Sequence, residues 1–285
     1  MHDIGLFKDS VDLQKGIRRK LTQTSLLSGS KHFQDFFDSR DEFANIDPTL
    51  QVPIQHDLPF QKWATSPYSN VLVIGGQQRE EKSTAPKLSA HYIWFARQAN
   101  IPIISHSCSL PAGPGAKGQS PYEGGLVALA YSILRQFIEL APPLLDCCLG
   151  GHLESLDLAT GTVNSWEKVL SAIDTIMHFM PPLLIWIIDG LDVIHHPSET
   201  DDHIQSLLRI LFRHASYPPV IPMYDGTTKS VLFKGLITVH QSGGWLKRAL
   251  AETERAPPTL RDGSTQVGLE EVLDGEVYWA VDMSA

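Results

Sequence analysis

The sequence predicts an α/β fold of three layers, with a parallel sheet held between two layers of helices. Two observations carry this prediction. Short apolar, β-branched runs alternate with segments of helical length, the pattern of strands joined by crossover helices. One of those runs, Leu183-Leu-Ile-Trp-Ile-Ile188, is apolar at every position. An interior strand covered on both faces needs that composition. A chain of 285 residues, 42% of them hydrophobic, has the material for one large domain of this class with extensions.

Residues 9–44 read as helical in two pieces, separated at Ser28-Gly29-Ser30. In the second piece His32, Phe33, Phe36, Phe37 and Phe43 recur about one helical turn apart, an aromatic face that seeks a packing partner. Asp47-Pro48 and Val52-Pro53 punctuate a linker, so residues 1–57 form an N-terminal helical extension. Leu58 to Thr65 is a short helix that presents Phe60 and Trp63. Val71 to Ile74 then forms a buried strand running into Gly75-Gly76.

A helix follows over Lys87 to Gln98, then a strand at Ile101 to Ser105 and a Ser-, Gly- and Pro-rich surface loop from Ser107 to Pro121. Tyr122 to Leu140 is an apolar helix closed by Pro142-Pro143. Trp166 to Phe179 is an amphipathic one, with Asn164 or Ser165 as N-cap. The apolar strand at 183–188 ends in Asp189-Gly190-Leu191-Asp192. After it come a helix over Asp201 to His214, a fourth apolar stretch from Ser230 to Val239, and a helix from Gly243 to Ala251. These elements delimit an α/β domain over residues 58–252. Residues 253–285 are polar and marked by Pro and Gly; they form either a disordered tail or one late strand at Val277 to Val281.

Composition excludes several function classes. A formal charge of −9 argues against nucleic-acid binding, which needs a basic face. Lys15, Arg18, Arg19 and Lys20 are read as a solvated helix face. Cys108 and the adjacent Cys147-Cys148 make neither a disulfide framework nor a spaced zinc site. The start Met-His-Asp-Ile-Gly lacks the pattern of a signal peptide, and no apolar run approaches the ~20 residues of a membrane helix. The expectation is a soluble, cytoplasmic protein with no membrane and no nucleic-acid partner.

Chemistry gathers at two strand ends. From Gly76 to Ser83 the spacing is that of a phosphate-binding loop, G-x-x-x-x-G-K-[ST], with Glu81 in place of the second glycine. The candidate cofactor-binding residues are Gly75, Gly76, Gln77, Gln78, Arg79, Glu80, Glu81, Lys82, Ser83 and Thr84. Their backbone N–H groups would wrap phosphate oxygens at the positive end of the next helix. Lys82 would bridge the β- and γ-phosphates, and the Ser83 hydroxyl would hold Mg²⁺. Asp189 closes an apolar strand, as an acid that holds Mg²⁺ through water does. Ser83, Asp189 and Asp192 are thus the candidate metal residues, and ATP with Mg²⁺ the candidate cofactor.

This layout resembles fungal STAND-class nucleotide-binding proteins of the NACHT type. Phe60-x-x-Trp63 ahead of an apolar strand is similar to their entry into the phosphate loop, and Lys82-Ser83-Thr84 stands where they carry G-K-S-T. Leu184-Ile-Trp-Ile-Ile-Asp189-Gly-Leu-Asp192 resembles their second acidic motif, and Lys229-Ser-Val-Leu-Phe233 resembles the strand that carries a polar sensor. The resemblance covers about residues 58–250 and implies a P-loop NTPase fold, a cytoplasmic signalling role and a protein partner. It leaves the oligomeric state undetermined. The sequence stops before the winged-helix and repeat domains with which such proteins sense ligands and oligomerise.

Three departures alter the expected activity. Glu81 replaces glycine, Val193 replaces the acid after Asp192, and Lys234-Gly235 stand where an arginine is expected. A carboxylate about 5 Å from a phosphate charge, at an effective dielectric near 20, is repelled by roughly 3 kcal/mol. That weakens binding on the order of a hundredfold unless Mg²⁺ or Arg79 offsets it. Val193 removes the expected water-activating acid, which affects turnover rather than binding. The sequence therefore reads as a degenerate nucleotide-binding module with weak or absent ATP binding and little hydrolysis. The alternatives are an active ATP or GTP hydrolase that tolerates Glu81, and a pure interaction scaffold that docks through its aromatic helix at 32–43.

Two other groupings are read as structural. His195, His196, Asp201, Asp202 and His203 lack a recognised metal spacing, and Cys147-Cys148 lack the C-x-x-C spacing of a redox pair. No G-x-S-x-G elbow supports a serine hydrolase.

Overall fold

A computed structural model describes residues 19–37, 57–76, 85–111, 118–147, 153, 156, 159–216, 220–222, 228–240, 245–246, 266–273 and 276–282. Its strands are β1 (Arg19–Thr22), β2 (Asn70–Gly76), β3 (Ile103–Ser107), β4 (Leu144–Cys147), β5 (Leu183–Asp189), β6 (Val220–Pro222), β7 (Thr228–Ser230), β8 (Leu232–Val239), β9 (Gln266–Leu273) and β10 (Glu276–Asp282). Its α-helices are α1 (Gln23–Gly29), α2 (Asp57–Thr65), α3 (Ala85–Gln98), α4 (Pro121–Leu140), α5 (Trp166–Met177) and α6 (Asp201–Ser216).

The main sheet has six strands in the order β3-β5-β8-β2-β10-β9. The first four run parallel, while β10 lies antiparallel to β2 and to β9. The chain crosses from β2 to the far edge at β3 and then returns through β5 to β8. Crossovers of one hand put helices on opposite faces when the direction of travel reverses. The core divides accordingly. Leu72, Ile74, Ile185, Ile187 and Leu236 meet Trp63 of α2 and Leu88, Tyr92 and Ile93 of α3. Val71, Val73, Leu184, Trp186, Ile188, Phe233 and Ile237 meet α4, α5 and α6. Odd and even residues of β5 therefore serve opposite layers, which is why every position before Asp189 is apolar.

Local rules explain the helix boundaries. Ser120 caps α4 in a capping box, its hydroxyl accepting from Glu123 N–H while the Glu123 carboxylate accepts from Ser120 N–H. Pro86 is the second residue of α3, where its missing N–H would have had no helical partner and so costs no hydrogen bond. At β8, Gly235 is required by close approach. A Cβ there would lie 2.4 Å from Trp186 Cζ2, because the indole lies against that backbone.

The ends of the chain differ from expectation. Within residues 1–57, Arg19–Thr22 is a strand paired antiparallel with Leu144–Cys147, and helix α1 is short. The aromatic segment is a 3-10 turn (Lys31–Asp35), with Phe33 fully buried against Tyr131 at 4.5 Å and Phe36 stacked on the same ring at 5.3 Å. These aromatics are core, and Phe43 lies outside the described residues. Arg135 of α4 donates to Leu27 O, and Gln23 of α1 donates to Ile138 O and Glu139 O, so each helix caps the other. The segment at 253–285 supplies two strands rather than one, and β10 extends the sheet beside β2. The sensor-like strand also begins later than expected: Thr228–Ser230 pairs with Val220–Pro222 in a separate ribbon, and the sheet strand is Leu232–Val239.

Lys234 fixes the entry to β2. It is 2% exposed, and its ammonium donates to Trp63 O, Ser66 O, Tyr68 O and Asn70 Oδ1 at 2.7–3.0 Å. The residue standing where an arginine was expected thus ties β8 to the turn between α2 and β2. Substitution Lys234→Met keeps the stem but leaves those oxygens without their donor. It should lower unfolding stability by roughly 3 kcal/mol, measured by urea denaturation, with the helical content of the folded protein unchanged.

Candidate functional site

Ligands of open parallel sheets lie beyond the carboxyl ends of the strands, where the direction of winding switches. In this sheet the switch lies at β2, whose chain leaves on the α3 face, beside β8, reached from the other face. The site is therefore sought at the carboxyl ends of β2, β8 and β5.

Asp189 ends β5 and is 4% exposed. It has the parity of Ile185 and Ile187, so it faces the α3 layer. Thr238, two residues after Leu236 on β8, has the same facing and is fully buried. Its hydroxyl donates to Asp189 Oδ1 at 2.5 Å and accepts from Gly190 N–H at 2.9 Å. The carboxylate is thereby held in one orientation at the strand end. Ser107 is the register partner of Asp189 on β3, so three hydroxyl or carboxylate residues line neighbouring strand ends. Gly75 pairs with Val239 one strand beyond, at roughly 10 Å from β5 by ordinary strand spacing.

The turn after β5 depends on glycine. Gly190 has φ 67°, and a Cβ there would lie 2.6 Å from His240 Cε1. Asp192 follows in a 3-10 turn, and its Oδ1 accepts from His240 N–H at 2.8 Å. Asp192 therefore secures the end of β8, while Asp189 is the acid at the strand terminus itself. Val193, also in this turn, packs against the core.

Of the residues predicted for the site, Gly75 and Gly76 complete β2. Gln77, Gln78, Arg79, Glu80, Glu81, Lys82, Ser83 and Thr84 lie outside the described residues. Asp189 and Asp192 come together on one turn. A hard divalent cation prefers oxygen ligands and retains waters, and a fixed, buried carboxylate at this edge suits that chemistry. Sequence reasoning missed Thr238 and His240: the apolar stretch was read through to Val239, but its pairing with the end of β5, which brings Thr238 to Asp189, has no local signal.

The lead-in aromatics have a structural role. Phe60, Trp63 and Tyr92 pack mutually with ring centroids 5.0–5.3 Å apart, and Trp63 Nε1 donates to Asn70 O at 3.3 Å. They tie α2 to α3 over β2, and burial pushes the Tyr92 phenol up to about 12. The histidine grouping does not converge. His195 bonds Asp201 at 3.0 Å and stacks on Trp245 at 3.9 Å, while His203 meets the edge of Trp166 at 5.5 Å. Cys108 is buried, Cys147 belongs to β4, and Cys148 lies outside the described residues. Among the described residues no helix is long and apolar enough to cross a membrane.

No protein-family model matches the chain, and no curated protein matches it.

His106, opposite Ile188 near the end of β3, gives this edge a pH response. Burial holds its imidazole down to about 4 from an ordinary 6.5, so the folded protein keeps it neutral where the unfolded chain is protonated. Its contribution to stability is present above the unfolded value and is lost as pH falls through the folded one. Unfolding free energy should fall by about 2 kcal/mol from about pH 7 to about pH 5 on this account, and His106→Gln should flatten that slope in denaturant titrations.

Proposed function

We propose that the chain is a degenerate phosphate-loop module of the NACHT type that binds Mg-ATP weakly, turns it over little and works through contacts with a protein partner. The observation that carries this reading is the Asp189–Thr238 pair. A buried carboxylate, oriented by a hydroxyl from the next strand, lies on the α3 face at the carboxyl edge of a four-strand parallel run. The loop with phosphate-binding spacing leaves the same edge from β2, one strand beyond Thr238.

The residues divide the work as follows. The N–H groups of the segment between β2 and α3 would hold phosphate oxygens, with Lys82 supplying a cation. Ser83 and Asp189 would hold Mg²⁺, whose chemistry when bound is to neutralise phosphate charge. Thr238 orients Asp189, and Asp192 keeps His240 and the end of β8 in place. Glu81 opposes anion binding. Val193, turned to the core, stands where the water-activating acid is expected, and Asp192 is engaged with His240, which favours occupancy without turnover.

Thermal unfolding with and without millimolar Mg-ATP tests the reading. A rise in the wild-type midpoint that disappears in Lys82→Ala supports it, and Glu81→Gly should strengthen binding by up to about a hundredfold. Absence of any shift would leave only a scaffold. Sustained phosphate release that is lost in Asp189→Asn would instead establish a hydrolase.

A further inference from the structure

Helices α5 and α6 both run back from the carboxyl edge of the sheet toward its amino edge, where β5 and β8 begin. Their C-terminal ends meet there, across the sheet from Asp189. Asp174 and His178 sit one turn apart at the end of α5, and His214 lies in the last turn of α6. We propose that Asp174, His178 and His214 bind one zinc-class divalent ion, leaving its fourth position to water.

One ligand atom from each of the three side chains lies within 4.8 Å of the other two. His214 Nε2 is 2.7 Å from Asp174 Oδ1, and the His178 and His214 rings are 4.8 Å apart. Around an ion with bonds near 2.0–2.1 Å, tetrahedral ligand atoms stand roughly 3.3 Å apart. The required closure is small, and the His178 side chain, which would have to move, is exposed. His214 is 3% exposed and fixed, so one ligand is preset and one supplies the entry path.

The donor set selects the ion class. Two imidazoles with one carboxylate suit zinc, cobalt(II), nickel or copper and disfavour Mg²⁺ and Ca²⁺, which take oxygen. Two helix C-termini converge here, and the negative ends of their dipoles favour a cation. Burial, with help from the charges of His178 and Arg213, holds His214 below the ordinary histidine range despite its bond to Asp174, so the neutral ring is at hand. Burial alone would raise Asp174, but hydrogen bonds from His214 and Arg213 outweigh it and keep the carboxylate ionised.

Arg213 is the competitor for this site. Its guanidinium bonds Asp174 Oδ1, yet the side chain is 55% exposed and can leave without exposing core. The ion would replace that contact and join α5 to α6 more firmly than a half-exposed ion pair does.

The test uses the full chain stripped with chelator and titrated calorimetrically with zinc, with Mg²⁺ as control. One equivalent should bind and raise the unfolding midpoint, and cobalt(II) should show the visible bands of a tetrahedral site. His178→Ala and Asp174→Asn, both at positions open to solvent, should each weaken binding by more than the roughly 100-fold that loss of an outer-shell partner costs. Arg213→Ala should tighten it. Stoichiometric binding that survives both ligand substitutions would overturn the proposal, as would no stoichiometric binding by the wild-type chain.

Discussion

Strand β5 is buried on both faces, and the fold is arranged to meet that constraint. Each of its side chains up to Ile188 must find an apolar partner, odd positions against α3 and even positions against α4, α5 and α6. Asp189 is its first polar side chain, and it arrives while still buried. A carboxylate in that position needs a donor, and Thr238 on the neighbouring strand provides one. Gly190 then turns the chain through a left-handed conformation, and Asp192 fastens the end of β8 through His240. The geometry of the carboxyl edge thus follows from the satisfaction of one buried acid.

The two edges of the sheet carry different chemistry. At the amino edge, charged side chains tie elements together: Lys234 gathers the oxygens of the α2–β2 turn, and Asp174, His178 and His214 bring together the ends of α5 and α6. At the carboxyl edge, Asp189, Thr238 and Ser107 stand in a row beside the end of β2. The proposed nucleotide site and the proposed metal site therefore lie on opposite sides of the core, and neither reading depends on the other.

The central elements were legible because their signals are local. The apolar run at 183–188 and its terminal acid identify β5, and the periodic segments give α4, α5 and α6 to within two residues. The edges were not, because their signals are weak or long-range. Arg19–Thr22 carries a single apolar residue and is a strand only through pairing with Leu144–Cys147, which no local pattern announces. The late strand at Val277 to Val281 corresponds to β10, but the polar composition before it obscured its partner β9, despite the cue of Asp274-Gly275 between the two. The i, i+4 pair Asp174 and His178 is visible on α5, while His214 joins it only when the two helices pack. Thr238 lies within the stretch read from Ser230 to Val239, but only the pairing of β8 with β5 brings it to Asp189.

Hydrogen–deuterium exchange of the loop between β2 and α3 tests the central claim most directly. If this edge holds Mg²⁺-bound phosphate, millimolar Mg-ATP should slow exchange in peptides covering residues 75–84 and 238–240, leaving the amino-edge turn at 66–70 unchanged. Slowed exchange confined to other parts of the chain, with residues 75–84 unaffected, would contradict the account.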